Sequence, residues 1–257
     1  MTAAPLAPSA KLTVDAAESW TTLGSVPPDG VFDPERVDER LPESTRLWLA
    51  HSIAAGTPLA HAASLDMTGE IRLGKWRSFR ASQVIAPAKG YVWAASTRFS
   101  LFPLAGFDRY SDGAGEMRWR MARLLPFGSQ RGDDVTLSAA GRLAAELALL
   151  PTAFDVATWA PNGPRSFVAR TMIDGHLESV AFHIGGDGRL REVRSNRWGN
   201  PLGRRYGRYP FGVICLDEAT FGGITIPTAF TAGWFIGTDR WSEGMFYRAR
   251  ITGLSPC

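Results

Sequence analysis

The sequence has no long apolar run and almost no cysteine. No stretch approaches the roughly 18 consecutive apolar residues that a membrane-spanning helix needs. Residues 1–8 (MTAAPLAP) have neither the basic nor the apolar region of a secretory signal, so we expect a cytoplasmic protein without membrane insertion. The two cysteines, Cys215 and Cys257, belong to no CxxC or Cys/His spacing, which argues against structural zinc and gives no reason to expect a disulfide.

The common motifs of nucleotide, metal and serine-hydrolase sites are also missing. No GxGxxG opens a helix after a strand, and no GxxxxGKS or GxxxxGKT is present, which argues against a phosphate-binding loop. There is no GxSxG turn and no HExxH, and the four histidines show no ligand spacing. We therefore expect no metal and no cofactor.

The composition is that of an ordinary globular protein. Of the 257 residues, 45% are hydrophobic and 21% are charged, and the formal net charge is +3. A chain of this length buries roughly three quarters of its unfolded surface, so it can form one large domain or two small ones. Nucleic-acid binding usually requires a stronger basic excess and a recognisable module, and we expect no such partner.

The chain divides into an irregular start and a patterned remainder. Residues 1–30 mix Pro, Ala, Ser and Thr and end in a Pro-Pro-Asp-Gly turn, so we expect a loosely ordered N-terminal arm. Residues 31–257 carry helical and then strand-like patterns without a linker between them. They are expected to form a single β-rich domain.

Two regions have helix signals. At about 33–55, Asp33 can cap a first turn and a second helix follows until a Gly-x-Pro stop. At 138–150, Ser138 can cap a run rich in alanine and leucine, which Pro151 ends. In this mid-chain helix the apolar surface is wide enough to cover one face of a sheet.

From Leu65 onward the apolar residues recur with period two, which is typical of strands. In 115–125, for example, Met117 and Trp119 alternate with charged residues, and the Gly-rich run 185–188 predicts a hairpin turn. Further strand candidates are 76–86, 90–99, 103–111, 165–173, 177–184, 189–198, 209–217, 230–238 and 245–252. About ten strands at short spacing predict a β-dominated α+β fold, with a curved antiparallel sheet (half-barrel or barrel-like) on which the N-terminal helices and the mid-chain helix pack.

Two residues of one predicted strand are candidates for proton transfer. Asp108 and Tyr110 share a strand face with Leu104. A carboxylate and a phenol on an otherwise apolar face can have shifted pKa values and can donate or accept protons. The same residues also fit a strand end at which Asp108 pairs with a nearby arginine.

Two further candidates for catalysis are Glu218 and His183. Glu218 follows a strand that is apolar on both faces, and if buried it should meet a cation such as Arg142 or Arg240. A structural ion pair explains it equally well. His183 lies on the strand face opposite Phe182, although a single histidine is more often a surface or core residue.

Aromatic residues are frequent on the predicted strands and can either fill the concave side of the sheet or line a ligand cavity. Arg142 could anchor a carboxylate or phosphate, and Glu146, four residues later, would be its neighbour on the helix. The aromatic candidates for a ligand wall are Trp76, Trp93, Trp119, Trp234 and Tyr247.

One stretch is strongly basic. It contains Arg189, Arg191, Arg194, Arg197, Arg204, Arg205 and Arg208. Such a stretch can hold anionic groups through guanidinium contacts, or it can be an ordinary solvated strand face.

Several different short motifs are distributed along most of the chain. They are FDRY at 107–110 followed by Asp112-Gly113, GRL at 141–143, LPTAF at 150–154, RWG at 197–199, PFG at 210–212, TFG at 220–222, IP at 226–227, AGW at 232–234 and GT at 237–238. As a set, over residues 33–252, they resemble a family of uncharacterised bacterial proteins defined only as a domain of unknown function. The resemblance implies an antiparallel half-barrel similar to that of the lipoprotein carriers (LolA-like), with a cavity for a lipophilic ligand and no established catalytic residues.

Three hypotheses for the function follow. The first is a cytoplasmic enzyme that encloses a lipophilic small molecule and promotes a cofactor-independent cyclisation, isomerisation or hydration by proximity and acid–base help. The alternative is a non-catalytic protein that binds or carries such a ligand. The third is an arginine-rich docking module for an anionic partner. The sequence does not identify the ligand, the reaction or the oligomeric state.

Overall fold

Alternating apolar residues from Ala63 onward build one antiparallel sheet. The structure, a computed structural model, describes residues 7–99, 101–122 and 125–257. Within these ranges the sheet has 13 strands, which confirms the expected β-dominated α+β fold with a curved antiparallel sheet. The strands are β1 (Ala63–Leu73), β2 (Lys75–Ala86), β3 (Gly90–Phe99), β4 (Phe102–Ser111), β5 (Ala114–Met121), β6 (Leu125–Arg131), β7 (Thr158–Pro161), β8 (Ser166–Ile173), β9 (His176–Ile184), β10 (Leu190–Gly199), β11 (Gly207–Phe221), β12 (Ile224–Trp234) and β13 (Met245–Pro256).

The first and the last strand meet in the middle of this sheet. β1 pairs with β2 on one side and with β13 on the other. From this centre, β2 to β6 follow one another to one edge, and β12 to β7 follow in reverse order to the opposite edge. The two halves of the chain therefore contribute side chains to one continuous inner face.

The helices of the described residues lie on both faces of the sheet. They are α1 (Val14–Leu23), α2 (Glu43–Ser52), α3 (Asp133–Ala145) and the single turn α4 (Trp241–Gly244). α3 connects the two halves of the chain and crosses the inner face, where it contacts β4 and β5 on one side and β9 and β10 on the other. None of these helices has the length and apolarity needed to cross a bilayer.

The N-terminal arm, expected to be loosely ordered over residues 1–30, contains helix α1. Thr13 caps its N-terminus through the side chain. Trp20 and Leu23 lie one turn apart on the helix and are buried in one apolar cluster with Val92 on the outer face of the sheet. The irregular composition hid this helix because only these two large side chains anchor it.

The mid-chain helix begins earlier than its sequence pattern suggested. α3 starts at Asp133, so Ser138 lies inside the helix and is not its cap. Gly132, with φ of +107°, turns the chain into the helix, and an acidic first turn interacts favourably with the helix dipole. After Ala145 the helix tightens into the 3-10 segment Glu146–Leu149, which ends just before the expected proline stop.

Three strands, β1, β6 and β7, were not among the ten candidates, and the predicted strand 115–125 was too long. The predicted strand 115–125 ends at Met121, and β6 follows as a separate edge strand. Pro126 and Gly128 disturb the alternation of β6, and β7 has only four residues, so neither shows a clear period of two. Both strands lie at edges of the sheet.

Aromatic side chains fill one end of the inner face. Trp48 of α2 packs on Trp159, Phe167 and Phe182, with ring centroids 5.3–5.7 Å apart. All three sheet residues belong to the second half of the chain. These rings pack together in the hydrophobic core at this end of the sheet.

Candidate functional site

An apolar cavity of about 200 Å³ lies between α3 with its 3-10 extension and the inner face of the sheet. Because alternate residues of a strand face the same side, Phe211, Val213 and Cys215 of β11 all reach this cavity. On the opposite side, Ala145 and Ala148 contribute only methyl groups. Arg142, Glu146 and Leu149 bound the cavity from the same segment, so its helix side combines small and large side chains.

The polar atoms of the aromatic wall are already hydrogen-bonded to a sulfur atom. Trp93 donates from Nε1 to the Sδ atom of Met67 at 3.4 Å, and Tyr247 donates from Oη to the same sulfur at 3.2 Å. Phe79 stacks on Tyr247 with centroids 5.1 Å apart. A ligand in the cavity therefore meets ring faces and a thioether.

A polar group centred on Arg142 closes one side of the cavity. Its Nε donates to Oε1 of Glu146 at 2.7 Å, which confirms that these two residues are neighbours, and its Nη2 donates to Gln83 at 3.2 Å. The guanidinium also lies 4.3 Å from the ring centre of Tyr91. Burial by itself lowers the pKa of Arg142. The nearby negative charges of Glu146 and Asp108 together have the larger effect and raise the pKa above its ordinary value, so this arginine stays charged.

Asp108 lies beside Arg142 and is the expected carboxylate on the inner face of β4. The indole of Trp119 donates to its Oδ1 at 3.1 Å, and a guanidinium nitrogen of Arg142 is 3.7 Å from its Oδ2. Desolvation raises the pKa of this carboxyl, although the charge of Arg142 and the indole hydrogen bond oppose the shift.

A second cavity, of about 310 Å³ and lined mainly by polar groups, adjoins the apolar one. It lies beneath the first turns of α3, next to the short turn Pro201–Gly203. Three residues line both cavities: Asp108, Arg142 and Arg197. The site is therefore amphiphilic. The apolar cavity forms an apolar chamber, the second cavity forms a polar chamber, and charged groups lie where the two meet.

Arg197 is the basic residue at this junction that lacks an acidic partner. Its Nε and Nη2 donate to the carbonyl and hydroxyl oxygens of Ser138 at 2.9 and 3.2 Å, and its guanidinium lies 4.8 Å from the ring centre of Phe211. Among the described residues it forms no ion pair with a carboxylate. Desolvation, reinforced by the positive charge of Arg142, lowers the pKa of Arg197 to about 10, although the negative charges of Glu146 and Asp108 oppose the shift. The residue therefore stays protonated at neutral pH.

Two glycines make the close packing around Arg197 possible. A Cβ on Gly141 of α3 would lie 3.1 Å from Cγ of Arg197, so the helix rests directly on β10 at this point. A Cβ on Gly199 would lie 2.5 Å from the ring of Trp234. Larger residues at either position would displace the walls of the polar chamber.

The residues expected to bind a ligand are only partly brought together. Trp93, Arg142 and Tyr247 line the apolar cavity, and Trp234 lines the polar one. Trp119 contributes indirectly, by packing on Trp93 and bonding to Asp108. Trp76 lies elsewhere, beneath the guanidinium of Arg248 at 4.3 Å from its ring centre.

The residues expected to act in catalysis are not brought together, because of the four only Asp108 lines either the apolar or the polar cavity. Tyr110 is fully buried and donates to Oδ2 of Asp174 at 2.6 Å. Burial, together with this hydrogen bond, raises the pKa of Tyr110. A phenol held in this way is a structural donor.

The other two catalytic candidates lie far along their strands. Glu218 meets neither Arg142 nor Arg240, and its partners are His51 at 3.0 Å and Arg189 at 3.5 Å. The 15-residue strand β11 carries it past α3 to the end of α2. His183 is half-buried opposite Glu192 on β10, and desolvation lowers its pKa.

The arginine-rich stretch does not form one patch. Arg191 pairs with Asp187 at 3.0 Å, Arg208 pairs with Glu178 at 2.7 Å, and Arg194 pairs with Glu192. Most of these pairs are the ordinary ion pairs of a strand face. Three arginines of the stretch, Arg197, Arg204 and Arg205, form no ion pair within the described residues. Of these, Arg197 shares a strand face with Val193 and lies on the inner face. Alternation alone did not distinguish it from Arg191, which a β-bulge turns outward.

Within the described parts of the chain, no cluster of His, Cys, Asp and Glu side chains has the arrangement of a metal site.

Comparisons with known proteins identify relatives of the sequence and of the fold. A family model described as a family of unknown function (DUF6920) matches residues 39–255, which confirms the kind of family expected from the sequence motifs. No curated protein matches the chain.

Three solved structures are similar to this chain at low sequence identity. A LolA superfamily protein from Nitrosomonas europaea is 10% identical, with a TM-score of 0.44 over 84% of this chain and 94% of its own. A putative outer membrane lipoprotein-sorting protein domain from Vibrio parahaemolyticus is 8% identical, with a TM-score of 0.41 over 84% and 92%. A DUF1329 family protein from Desulfovibrio piger is 14% identical, with a TM-score of 0.35 over 83% and 91%.

Proposed function

Since the chain belongs to the family of unknown function DUF6920, we propose a function from its own geometry: it binds a lipophilic small molecule in the apolar cavity beneath α3, without chemical change to the ligand. The observation that carries this proposal is the cavity itself. Its walls are aliphatic and aromatic side chains, and its polar groups are concentrated on one side.

The character of the walls favours an apolar guest. Burial of apolar surface contributes about 25 cal/mol per Å², and the rings of Trp93, Phe230 and Tyr247 offer large surfaces of this kind. The polar tips of two of these rings are already bonded to Met67. Water in this space would find few partners, which favours its displacement by a hydrocarbon.

The size of the cavity favours a slender ligand. Its volume of about 200 Å³ is below the roughly 300–1,000 Å³ of sites for drug-sized molecules. One acyl chain or a small ring system matches this volume better than a two-chain lipid.

Binding without catalysis has more support than the enzyme hypothesis. General acid–base catalysis needs the proton-transferring groups within reach of the substrate. Of the four candidates, Asp108 alone reaches the cavity, while Tyr110 and Glu218 are engaged with Asp174 and His51. A single carboxyl paired with Arg142 and Trp119 orients a ligand more readily than it exchanges protons.

The first test is direct binding. Purified protein should raise the fluorescence of the neutral dye Nile red, and decanol should displace the dye with a one-to-one stoichiometry. Native mass spectrometry of the protein as purified should detect any co-purified ligand. Absence of saturable binding of both Nile red and decanol would contradict the proposal.

The second test locates the ligand with the two cysteines. Cys215 lines the apolar cavity, whereas Cys257 is buried in the separate cluster on the outer face. In Cys257→Ser, decanol should slow the modification of Cys215 by a small thiosulfonate. In the matched variant Cys215→Ser, it should leave the modification of Cys257 unchanged. Burial raises the pKa of Cys215 to about 12, so the reaction is best followed at alkaline pH. Equal protection of both thiols would place the ligand elsewhere.

A further inference from the structure

The charged residues where the two chambers meet indicate which polar group a ligand of this site can carry. Arg142 contacts two carboxylates, Glu146 at 2.7 Å and Asp108 at 3.7 Å. Arg197, the other guanidinium at the junction, contacts no carboxylate in the described residues, although the charges of Glu146 and Asp108 act on it at longer range. A buried guanidinium without a directly bonded carboxylate favours an incoming anion.

The carboxylates that line the polar chamber are held by other donors. Glu116 accepts hydrogen bonds from Arg109 at 2.8 Å and Arg131 at 2.6 Å. Asp134 accepts one from the indole of Trp198 at 2.8 Å. Neither forms an ion pair with Arg197, so neither occupies its guanidinium directly.

We propose that the ligand is a single-chain amphiphile with an anionic oxygen headgroup, whose chain occupies the apolar cavity and whose headgroup binds Arg197 in the polar chamber. This inference rests on the proposed function. It also requires that the two chambers act as one site, which their three shared residues allow. Carboxylates and phosphates both suit a guanidinium, since either can accept hydrogen bonds from its nitrogens.

The experiment compares three ligands that share one chain: decanol, decanoate and decyl phosphate. Displacement of Nile red from the full-length protein gives the three affinities. At least one of the two anions should bind roughly 10- to 100-fold more tightly than decanol, the factor expected of a charge-assisted hydrogen bond. The tighter anion identifies the headgroup as a carboxylate or a phosphate. Equal affinity of all three would overturn the headgroup inference and leave the proposed function standing, whereas no binding of any would contradict both.

Two variants test whether the preference comes from Arg197. Arg197→Gln should remove the preference for the anion, measured within that variant as the ratio of its affinities for the anion and for decanol. The control Arg194→Gln, on the same strand but paired with Glu192, should leave all affinities unchanged. Retention of the full anion preference by Arg197→Gln would overturn the assignment. If that variant unfolds, the wild-type comparison of decanol with its anionic analogues still decides the question.

Discussion

The substitution Ala232→Leu is expected to stabilise the free protein and to weaken ligand binding at the same time. Ala232 of β12 and Ala249 of β13 lie on neighbouring strands, and each is 6% exposed. They face the same side of the sheet, opposite Tyr247 and Phe230 in the register of the two strands. Only Ala232 lines the apolar cavity. The same substitution at these two alanines therefore compares a position beside open space with a position in the packed core.

The two substitutions should change stability in opposite directions. A leucine adds three carbon atoms, which contribute about 0.8 kcal/mol each when they enter an empty apolar space, or about 2 kcal/mol together. Ordering the longer side chain costs about 0.5–1 kcal/mol. Ala232→Leu should therefore raise the free energy of unfolding by about 1–2 kcal/mol. Ala249→Leu has no open space to fill and should lower it by about 1–3 kcal/mol through overpacking.

The affinity for decanol is the second quantity to measure. The new leucine occupies space that three methylene groups of a ligand would otherwise fill, so the affinity for decanol should fall by about 2 kcal/mol, or roughly 30-fold. Urea denaturation measures the stability, and displacement of Nile red measures the affinity. If Ala232→Leu destabilises the protein as much as Ala249→Leu, the space is already packed. If it binds decanol as well as the wild type, the ligand lies elsewhere.

The remaining predictions concern residues outside the apolar cavity. Tyr110→Phe removes the hydrogen bond to Asp174 and should lower the free energy of unfolding by about 1–3 kcal/mol, with the affinity for decanol unchanged; a large loss of affinity would contradict a structural role. For Glu116, desolvation raises the pKa, but hydrogen bonds from Arg131 and Arg109 outweigh it and hold the pKa below its ordinary value. The stabilisation that ionised Glu116 contributes is therefore fully present above its pKa in the unfolded state and is lost as the pH falls through its pKa in the folded state. The difference in the free energy of unfolding between the wild type and Glu116→Gln, measured by urea denaturation, should therefore become smaller on acidification. A gap that does not change with pH would contradict this assignment.

The parts of the fold that follow simple periodicity could be predicted from the sequence. Met117 and Trp119 alternate with charged residues, and β5 occupies that stretch. The spacing of Arg142 and Glu146 predicted their contact. In each case the local pattern is sufficient, because neighbours along one strand or one helix turn are fixed by backbone geometry alone.

The composition of the site depended on distances that periodicity does not give. Glu218 was expected to meet a cation such as Arg142 or Arg240; the cation it meets is Arg189, because the length of β11 brings it to that residue and to His51. The unpaired state of Arg197 depends on which strands lie next to β10 and on the path of α3, and neither is a local property. Asp108 was identified correctly as an inner-face carboxylate, although nothing in its strand showed that two chambers meet beside it.

The cavity itself follows from a difference in side-chain size along the segment that covers the sheet. At Gly141 the helix rests on β10, close enough that a Cβ would lie 3.1 Å from Arg197. One turn later the covering segment presents Ala145 and Ala148, whose short side chains leave space in front of Trp93 and Tyr247, while Arg142, Glu146 and Leu149 bound that space from the same segment. The glycine contact brings the helix close to the sheet, and the two alanines leave part of the space beneath it open. Such a shape suits a guest whether or not the guest reacts. We favour binding over catalysis because, of the four candidates for proton transfer, Asp108 alone lines this cavity.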